Sequence, residues 1–152
     1  MSEANKDLVR RHFEEIWNQR DLSVCEEIMA VDYTENAAAP FAMSSPGKVN
    51  GPAATRGTVA WLTAQYPDIH MELESIVAED DLVAVRVLST GTNLGGIDGG
   101  PPATGKPFAA RQSHWFRVGD GQLCEHWATR DDLTTMLQLG VIQAPGTPPT
   151  DQ

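Results

Sequence analysis

The chain has 152 residues, of which 41% are apolar and 21% are charged, as is typical of one globular domain. Eleven lysines and arginines stand against 21 aspartates and glutamates, which leaves a formal net charge of -10. Because nucleic acids and anionic membranes are bound by clusters of basic side chains, we expect neither as a partner. We predict one domain over residues 1–143 and a disordered, proline-rich tail over 144–152.

The sequence favours a cytoplasmic location. The N-terminal residues are already charged, and no apolar run approaches the ~18 residues that a membrane span needs. Cys25 and Cys124 lie far apart in the chain and form no CxxC pair. Such cysteines are typical of a reducing compartment, where they serve as small apolar residues.

The first half of the chain has apolar residues at helical spacing. We predict three helices here, over residues 5–19, 22–31 and 52–65. Asn5 is the expected N-cap of the first helix, while Pro52 and Pro67 bound the third. The stretch 33–51 is rich in proline and small residues, so we expect a short extended piece followed by a loop.

In the second half, the apolar period changes from 3.6 residues to two, which indicates strands. We predict four strands, over residues 69–77, 82–90, 108–118 and 122–129. The second of these is nearly all apolar and should be buried on both faces, apart from Arg86. A short helix over 131–139 follows, with Gly140 as its C-cap. This order predicts an α+β fold with the helices packed on a curved antiparallel sheet.

The last predicted hairpin carries polar residues on a face that should be core. With a three-residue turn over 119–121, Val118 opposes Gln122 and His114 opposes His126. Gln112, two residues before His114, then lies on the same face as both histidines. The opposite face is mixed in character and suited to a second copy of the chain, so we expect a homodimer. It carries Arg111, Ser113, Trp115 and Arg117 on one strand and Leu123, Glu125, Trp127 and Thr129 on the other.

Two interpretations of this polar patch remain open. In one, Gln112, His114 and His126 form the floor of a cavity, where they donate hydrogen bonds to an oxyanion while a carboxylate moves protons. In the other, they are core residues that orient each other. Two histidines without a third ligand make a poor zinc site, so we expect no metal. Further candidate ligand-binding residues are Trp17, Tyr33, Asn36, Trp61, Arg86 and Phe116.

Several short motifs occur in an order that resembles a known family. They are Ile16-Trp17-Asn18, Tyr66-Pro67-Asp68, Gly91-Thr92, Thr104-Gly105-Lys106, Glu125-His126-Trp127, Asp131 and Gln138-Leu139-Gly140. In this order they resemble the SnoaL-like polyketide (ester) cyclases of the nuclear-transport-factor-2-like superfamily. The likeness covers roughly residues 5 to 143.

The resemblance implies a cone-shaped α+β barrel with a deep apolar pocket, usually dimeric through its outer sheet face. It also implies a reaction without a cofactor: a carboxylate removes an acidic proton from a polyketide ester, and the enolate closes a ring by intramolecular aldol attack. Gln112, His114 and His126 match polar pocket positions of those enzymes. The catalytic aspartate, however, would stand at position 128, where this chain has Ala128.

The missing aspartate leaves two classes of function open. The first is a cofactor-free cyclase, isomerase, hydrolase or hydratase that acts on a hydrophobic carbonyl compound and uses another base. The candidates for that base are His114, His126 and Asp131, although Asp131 is also suited to capping the last helix. The second is a non-catalytic protein that binds a small ligand. A free carboxylate facing the cavity beside the two histidines would favour the first.

Overall fold

The computed structural model describes residues 2–38, 47–49, 51–96, 98–100 and 102–146. Four α-helices are present in this part of the chain: α1 (Ser2–Arg11), α2 (Val24–Ile28), α3 (Pro52–Gln65) and α4 (Asp132–Gln138). Helix α1 continues directly into a π-helix over His12–Asn18. The strands are β1 (Met29–Glu35), β2 (Lys48–Val49), β3 (His70–Glu79), β4 (Leu82–Thr92), β5 (Pro107–Gly119) and β6 (Gln122–Arg130).

The strands form one six-stranded sheet in the order β2-β1-β6-β5-β4-β3. The α+β class and the helix-on-sheet arrangement are confirmed, but the sheet is not closed into a barrel. Nor is it wholly antiparallel, because β1 runs parallel to β6. A parallel pair needs a long connection, and here most of the domain separates the two strands. Of the six strands, β2 is absent from the sequence prediction, and β1 is predicted only in part, as the short extended piece that begins at residue 33.

The helix predictions are correct for α3 and α4 and partly wrong elsewhere. The first helix begins at Ser2, so Asn5 lies inside it rather than at its N-cap. The second helix ends at Ile28, because Met29, Ala30 and Val31 belong to β1. Met29 is paired with Leu123 of β6, and this long-range pairing overrides the local helical pattern.

The core lies between the helices and the inner face of the sheet. Val83, Val85 and Val87 of β4 are buried against Phe13 and Ile16 of the π-helix. The other face of β4 is only half-buried, and the Arg86 side chain is 61% exposed. The prediction that this strand is buried on both faces is therefore wrong, since β4 has the ordinary alternation of a sheet with one covered face.

The β5–β6 hairpin differs from the predicted register. Its turn has two residues, because Gly119 pairs with Gln122. A β-bulge at Cys124 then adds one residue to β6, so that His114 pairs with Ala128 instead of His126. The shorter turn and the bulge each shift the pairing by one residue, so together they shift it by two. His114 and His126 therefore both stay on the inner face. Leu123, expected on the outer face, is fully buried for the same reason.

Parts of two predictions fall outside the described residues. These are residues 39–46 of the predicted loop and residues 147–152 of the predicted tail. Among the residues that the structure does describe, no helix has the length and apolar character needed to cross a membrane.

Candidate active site

A cavity lies between the helices and the sheet, with about 70 Å³ of space for the centres of water-sized molecules. Much of its lining is apolar and comes from the π-helix, α3 and three of the strands: Trp17, Leu62, Met71, Phe108 and Ala128. Its polar lining includes a group of side chains from the π-helix and strands β1, β5 and β6: His12, Glu35, Gln112, His114 and His126.

Four of these side chains form one continuous row of hydrogen bonds. Glu35 Oε1 lies 2.7 Å from Nδ1 of His126. Nε2 of His126 lies 2.8 Å from Nδ1 of His114, and Nε2 of His114 lies 2.8 Å from Oε1 of Gln112. The parallel pairing of β1 with β6 puts Glu35 opposite His126, and this is what brings the carboxylate to the histidines.

The row fixes where its protons lie. Gln112 presents Oε1, which only accepts, so Nε2 of His114 carries a proton and donates it. Burial is the main cause that lowers the pKa of His114 well below its ordinary value, and the nearby His126, His12 and Arg130 add to the effect. His114 is therefore neutral, and its bare Nδ1 accepts from Nε2–H of His126. One further proton then lies between His126 Nδ1 and Glu35, as an imidazolium–carboxylate pair or as two neutral groups.

Glu35 is held by a second hydrogen bond and is shielded from water. Its Oε1 also accepts the backbone N–H of Ala37 at 2.8 Å. The side chains of His126 and Glu35 are only 8% and 9% exposed, so water screens their interaction little. Burial, with a further contribution from the Glu35 charge, raises the pKa of Tyr33 well above its ordinary value, which keeps this phenol neutral.

His12 adds a further polar side chain to the lining, from the π-helix. It is the first residue of the π-helix and is 3% exposed. Its ring packs edge-on against Phe13 and Phe116, with centroids 4.8 and 5.0 Å away. Burial is the main cause that lowers the pKa of His12 to about 3, and the nearby His126 adds to it. His12 is therefore a neutral imidazole at physiological pH.

The structure brings together Gln112, His114 and His126, as the sequence predicts, and it adds Trp17 to the same cavity. Phe116 packs against the row, since its ring is stacked on that of His126 with centroids 4.7 Å apart.

Two further candidates lie close to this group. Tyr33 is fully buried on β1. Asn36 follows that strand and donates its backbone N–H to the carbonyl of His126.

Six predicted site residues are not among those that line the cavity: Tyr33, Asn36 and Phe116, already described, and Trp61, Arg86 and Asp131. Arg86 is on the outer face of the sheet, 3.8 Å from Glu74. Trp61 is half-buried on α3 and packs against the core. Asp131 is exposed and caps α4, where its carboxylate accepts from the backbone N–H and the hydroxyl of Thr134. These bonds lower the pKa of Asp131, so it is a helix cap rather than a cavity base.

Sequence reasoning missed Glu35 and His12. Glu35 falls in the stretch 33–51, for which the sequence predicts only a short extended piece followed by a loop, because the helix predicted before it extends through residue 31. His12 could have been found from its position, since it lies three residues after Val9 and four before Ile16 on the apolar face of the first helix. A histidine on such a face is a candidate for a buried polar group.

Within the described ranges, no group of three or more histidine, cysteine, aspartate or glutamate side chains is arranged to hold a metal ion.

Comparison with known proteins identifies the family. The model of the SnoaL-like polyketide cyclases matches residues 7–139. The chain belongs to the SnoaL-like polyketide cyclase family. The aklanonic acid methyl ester cyclase DnrD of Streptomyces peucetius is 31% identical over 136 residues, which cover 88% of this chain and 89% of that protein. DauD of Streptomyces sp. strain C5, with the same described activity, is also 31% identical and is covered over 80% of its length.

Solved structures agree with this assignment. IdmH of Streptomyces antibioticus, described as a proposed polyketide cyclase, superposes with a TM-score of 0.77 at 30% sequence identity. The alignment covers 90% of this chain and 98% of IdmH. Ala128 lines the cavity, and a carboxylate enters the same cavity from Glu35 on another strand.

Proposed function

We propose that this SnoaL-like protein is a cofactor-independent cyclase-type enzyme that acts on a hydrophobic, carbonyl-bearing small molecule, with Glu35 as its general base. The observation that carries the proposal is a buried carboxylate that lines the cavity and is held by His126 at 2.7 Å. A protein that only binds an apolar ligand gains nothing from a buried charge, which is costly to desolvate. The lining therefore favours an enzyme over a non-catalytic binding protein.

Glu35 is better suited to be the base than either histidine of the row. Both ring nitrogens of His126 and of His114 are engaged in hydrogen bonds within the row, so neither ring has a lone pair to offer a substrate. A carboxylate has two oxygens and about four acceptor sites, of which the His126 and Ala37 bonds occupy two on Oε1. The histidines and Gln112 are positioning residues that hold the carboxylate and balance its charge.

The proposed reaction is an internal rearrangement of one molecule. Glu35 takes the proton from a carbon flanked by carbonyl groups, and the electron pair of the C–H bond becomes an enolate. The enolate carbon attacks a second carbonyl carbon of the same molecule, which forms the ring-closing C–C bond. The oxygen of that carbonyl then receives the proton from Glu35 and becomes a hydroxyl group. No atom is gained or lost, so the reaction needs no oxidant, reductant or cofactor.

The experiment compares the wild type with Glu35→Gln, using aklanonic acid methyl ester as the first substrate and other polyketide methyl esters as a panel. DnrD and DauD are described as cyclases of that ester, which is why it comes first. The amide keeps the shape of the side chain but cannot take a proton, so turnover should fall by about 10²-fold or more. Glu79→Gln, the same change at an exposed glutamate at the end of β3, is the matched control and should retain full activity. Turnover by Glu35→Gln at the wild-type rate would refute the assignment of the base.

The proposal also includes a homodimer in the cytoplasm. The outer sheet face carries Trp115, which is 45% exposed, and Arg117 stacked over Trp127 at 5.6 Å. A tryptophan this exposed on a mixed sheet face supports contact with a second copy. The cysteines of the described residues, Cys25 and Cys124, are free thiols, which agrees with a reducing compartment.

A further inference from the structure

The π-helix at His12 is an unusual local structure in an informative place. Regular π-helices are rare, and short π segments within α-helices occur frequently at functional sites. Here the wider turn begins at His12 and leaves this residue, Phe13, Ile16 and Trp17 all buried. Two of the four, His12 and Trp17, line the cavity. His12 is thus the one polar side chain among these four buried residues.

The imidazole of His12 is buried without a hydrogen-bond partner. Its Nδ1 atom has no accessible surface and no donor or acceptor beside it within the described part of the chain. Buried polar side chains are nearly always paired, so each exception calls for an explanation. The neighbours of the ring are Phe13, Phe116 and, with centroids 6.2 Å apart, His126. No internal hydrogen bond accounts for a histidine at this position.

The tautomer of the ring follows from those neighbours. A neutral imidazole has one N–H and one lone pair, and a buried N–H group at Nδ1 would have no acceptor. The proton therefore lies on Nε2, and Nδ1 keeps the bare lone pair. The low pKa of His12 agrees with a neutral ring. A neutral imidazole can donate from Nε2 without adding a positive charge to the cavity.

We propose that His12 is a further substrate-contacting residue, whose Nε2–H donates a hydrogen bond to the ligand oxygen that becomes negative when Glu35 removes a proton. This inference rests on the proposed function, because it assigns the partner of the enolate that Glu35 would generate. Glu35 and His12 both line the cavity, from β1 and from the π-helix, and the His12 ring lies 6.2 Å from the ring of His126 that holds Glu35. A ligand in the cavity can therefore contact the base and the donor together. Donors aimed at a developing oxyanion in a dry site are among the strongest catalytic contributions.

The test uses a stable mimic of the enolate. In Glu35→Gln the neutral amide replaces the carboxylate, which reproduces the uncharged state of the base after it has taken a proton. We would titrate this variant with 4-nitrophenol at mildly alkaline pH, where the phenol oxygen is ionised, and follow its absorbance. In the same background, His12→Phe should weaken binding about 10-fold or more, because the aromatic volume stays and the donor is lost. His70→Phe, the same change at an exposed histidine on β3, should leave the affinity unchanged.

A second measurement does not depend on the folding of a His12→Phe protein. In ¹⁵N-histidine NMR of Glu35→Gln, the His12 ring should carry its proton on Nε2, and that proton should move downfield as 4-nitrophenol binds. His12→Gln assigns the signal by its absence. A proton on Nδ1, a signal that does not move at saturation, or no binding of 4-nitrophenol to Glu35→Gln would each overturn the inference.

The two proposals fail separately. If 4-nitrophenol binding depends on His12 but the wild type turns over no ester, the His12 contact is supported and the proposed enzyme activity is refuted. If turnover depends on Glu35 but the affinity for the phenolate does not change in His12→Phe, the enzyme activity is supported and the His12 contact is refuted.

Discussion

Acidification should destabilise this protein through its buried histidines, and His12 allows the effect to be calculated. The pKa of this imidazole is lowered from 6.5 to about 3 in the folded protein, mainly by burial. Between these two values the unfolded chain binds a proton at this position and the folded chain does not. The stabilisation from His12 is therefore fully present above pH 6.5 and is lost progressively as the pH falls towards 3.

The size of the effect follows from linkage. One pKa unit corresponds to about 1.4 kcal/mol, so the free energy of unfolding should fall by roughly 2 kcal/mol between about pH 6.5 and about pH 5 through His12 alone. His114 acts with the same sign, because burial also lowers its pKa. For a domain of this size, which has a total stability of about 5–15 kcal/mol, such a loss is large.

The assay is urea unfolding followed by tryptophan fluorescence at about pH 7 and about pH 5. We expect His12→Phe to lose about 2 kcal/mol less than the wild type over this interval, because phenylalanine does not titrate. His70→Phe removes an exposed histidine and should keep the wild-type pH dependence. Equal losses in the wild type and in His12→Phe would show that His12 is not the buried, low-pKa imidazole described above.

Three further predictions concern the base, the assembly and the backbone. Adding Ala128→Asp to Glu35→Gln should raise turnover at least 10-fold above that of Glu35→Gln, because Ala128 lines the same cavity and pairs with His114. A double variant as inactive as Glu35→Gln would contradict this prediction. Light scattering at micromolar concentration should give twice the 16.5 kDa chain mass, and Trp115→Glu should shift it to one chain mass. Gly51→Ala should cost at least ~1 kcal/mol more stability than Gly121→Ala in urea unfolding. Both glycines have positive φ, but only at Gly51 would the new Cβ meet backbone, 2.7 Å from the Val31 carbonyl oxygen, so equal losses would refute the clash.

The elements that could be predicted from the sequence are those whose signal is local. Helix α3 begins and ends at the predicted residues, because Pro52 starts it and Pro67 follows closely after its end. Strands β3, β5 and β6 follow from period-two alternation, β4 follows from its nearly all-apolar run, and α4 follows from its cap at Asp131. The resemblance to SnoaL-like cyclases also rests on short local motifs, and the family match confirms it.

The carboxylate of the site could not be found in this way. Glu35 reaches the cavity only because β1 pairs in parallel with β6, about 90 residues further along the chain. Nothing in the local pattern around Met29 to Glu35 names that partner, and the helical spacing before it continues smoothly into the strand. The local pattern therefore predicts only a short extended piece at Glu35, with no partner strand and no place in the site.

The amino-acid sequence alone determined the α+β class, the family, and the shared inner face of Gln112, His114 and His126. Tertiary structure decided how that face is built and completed. The shared face depends on a two-residue turn together with a bulge at Cys124, two features that cancel in parity and leave no separate trace in the pattern. Glu35 and His12 join it through a parallel strand pair and a π-helix, because contacts between distant segments are set by packing of the whole domain rather than by local spacing.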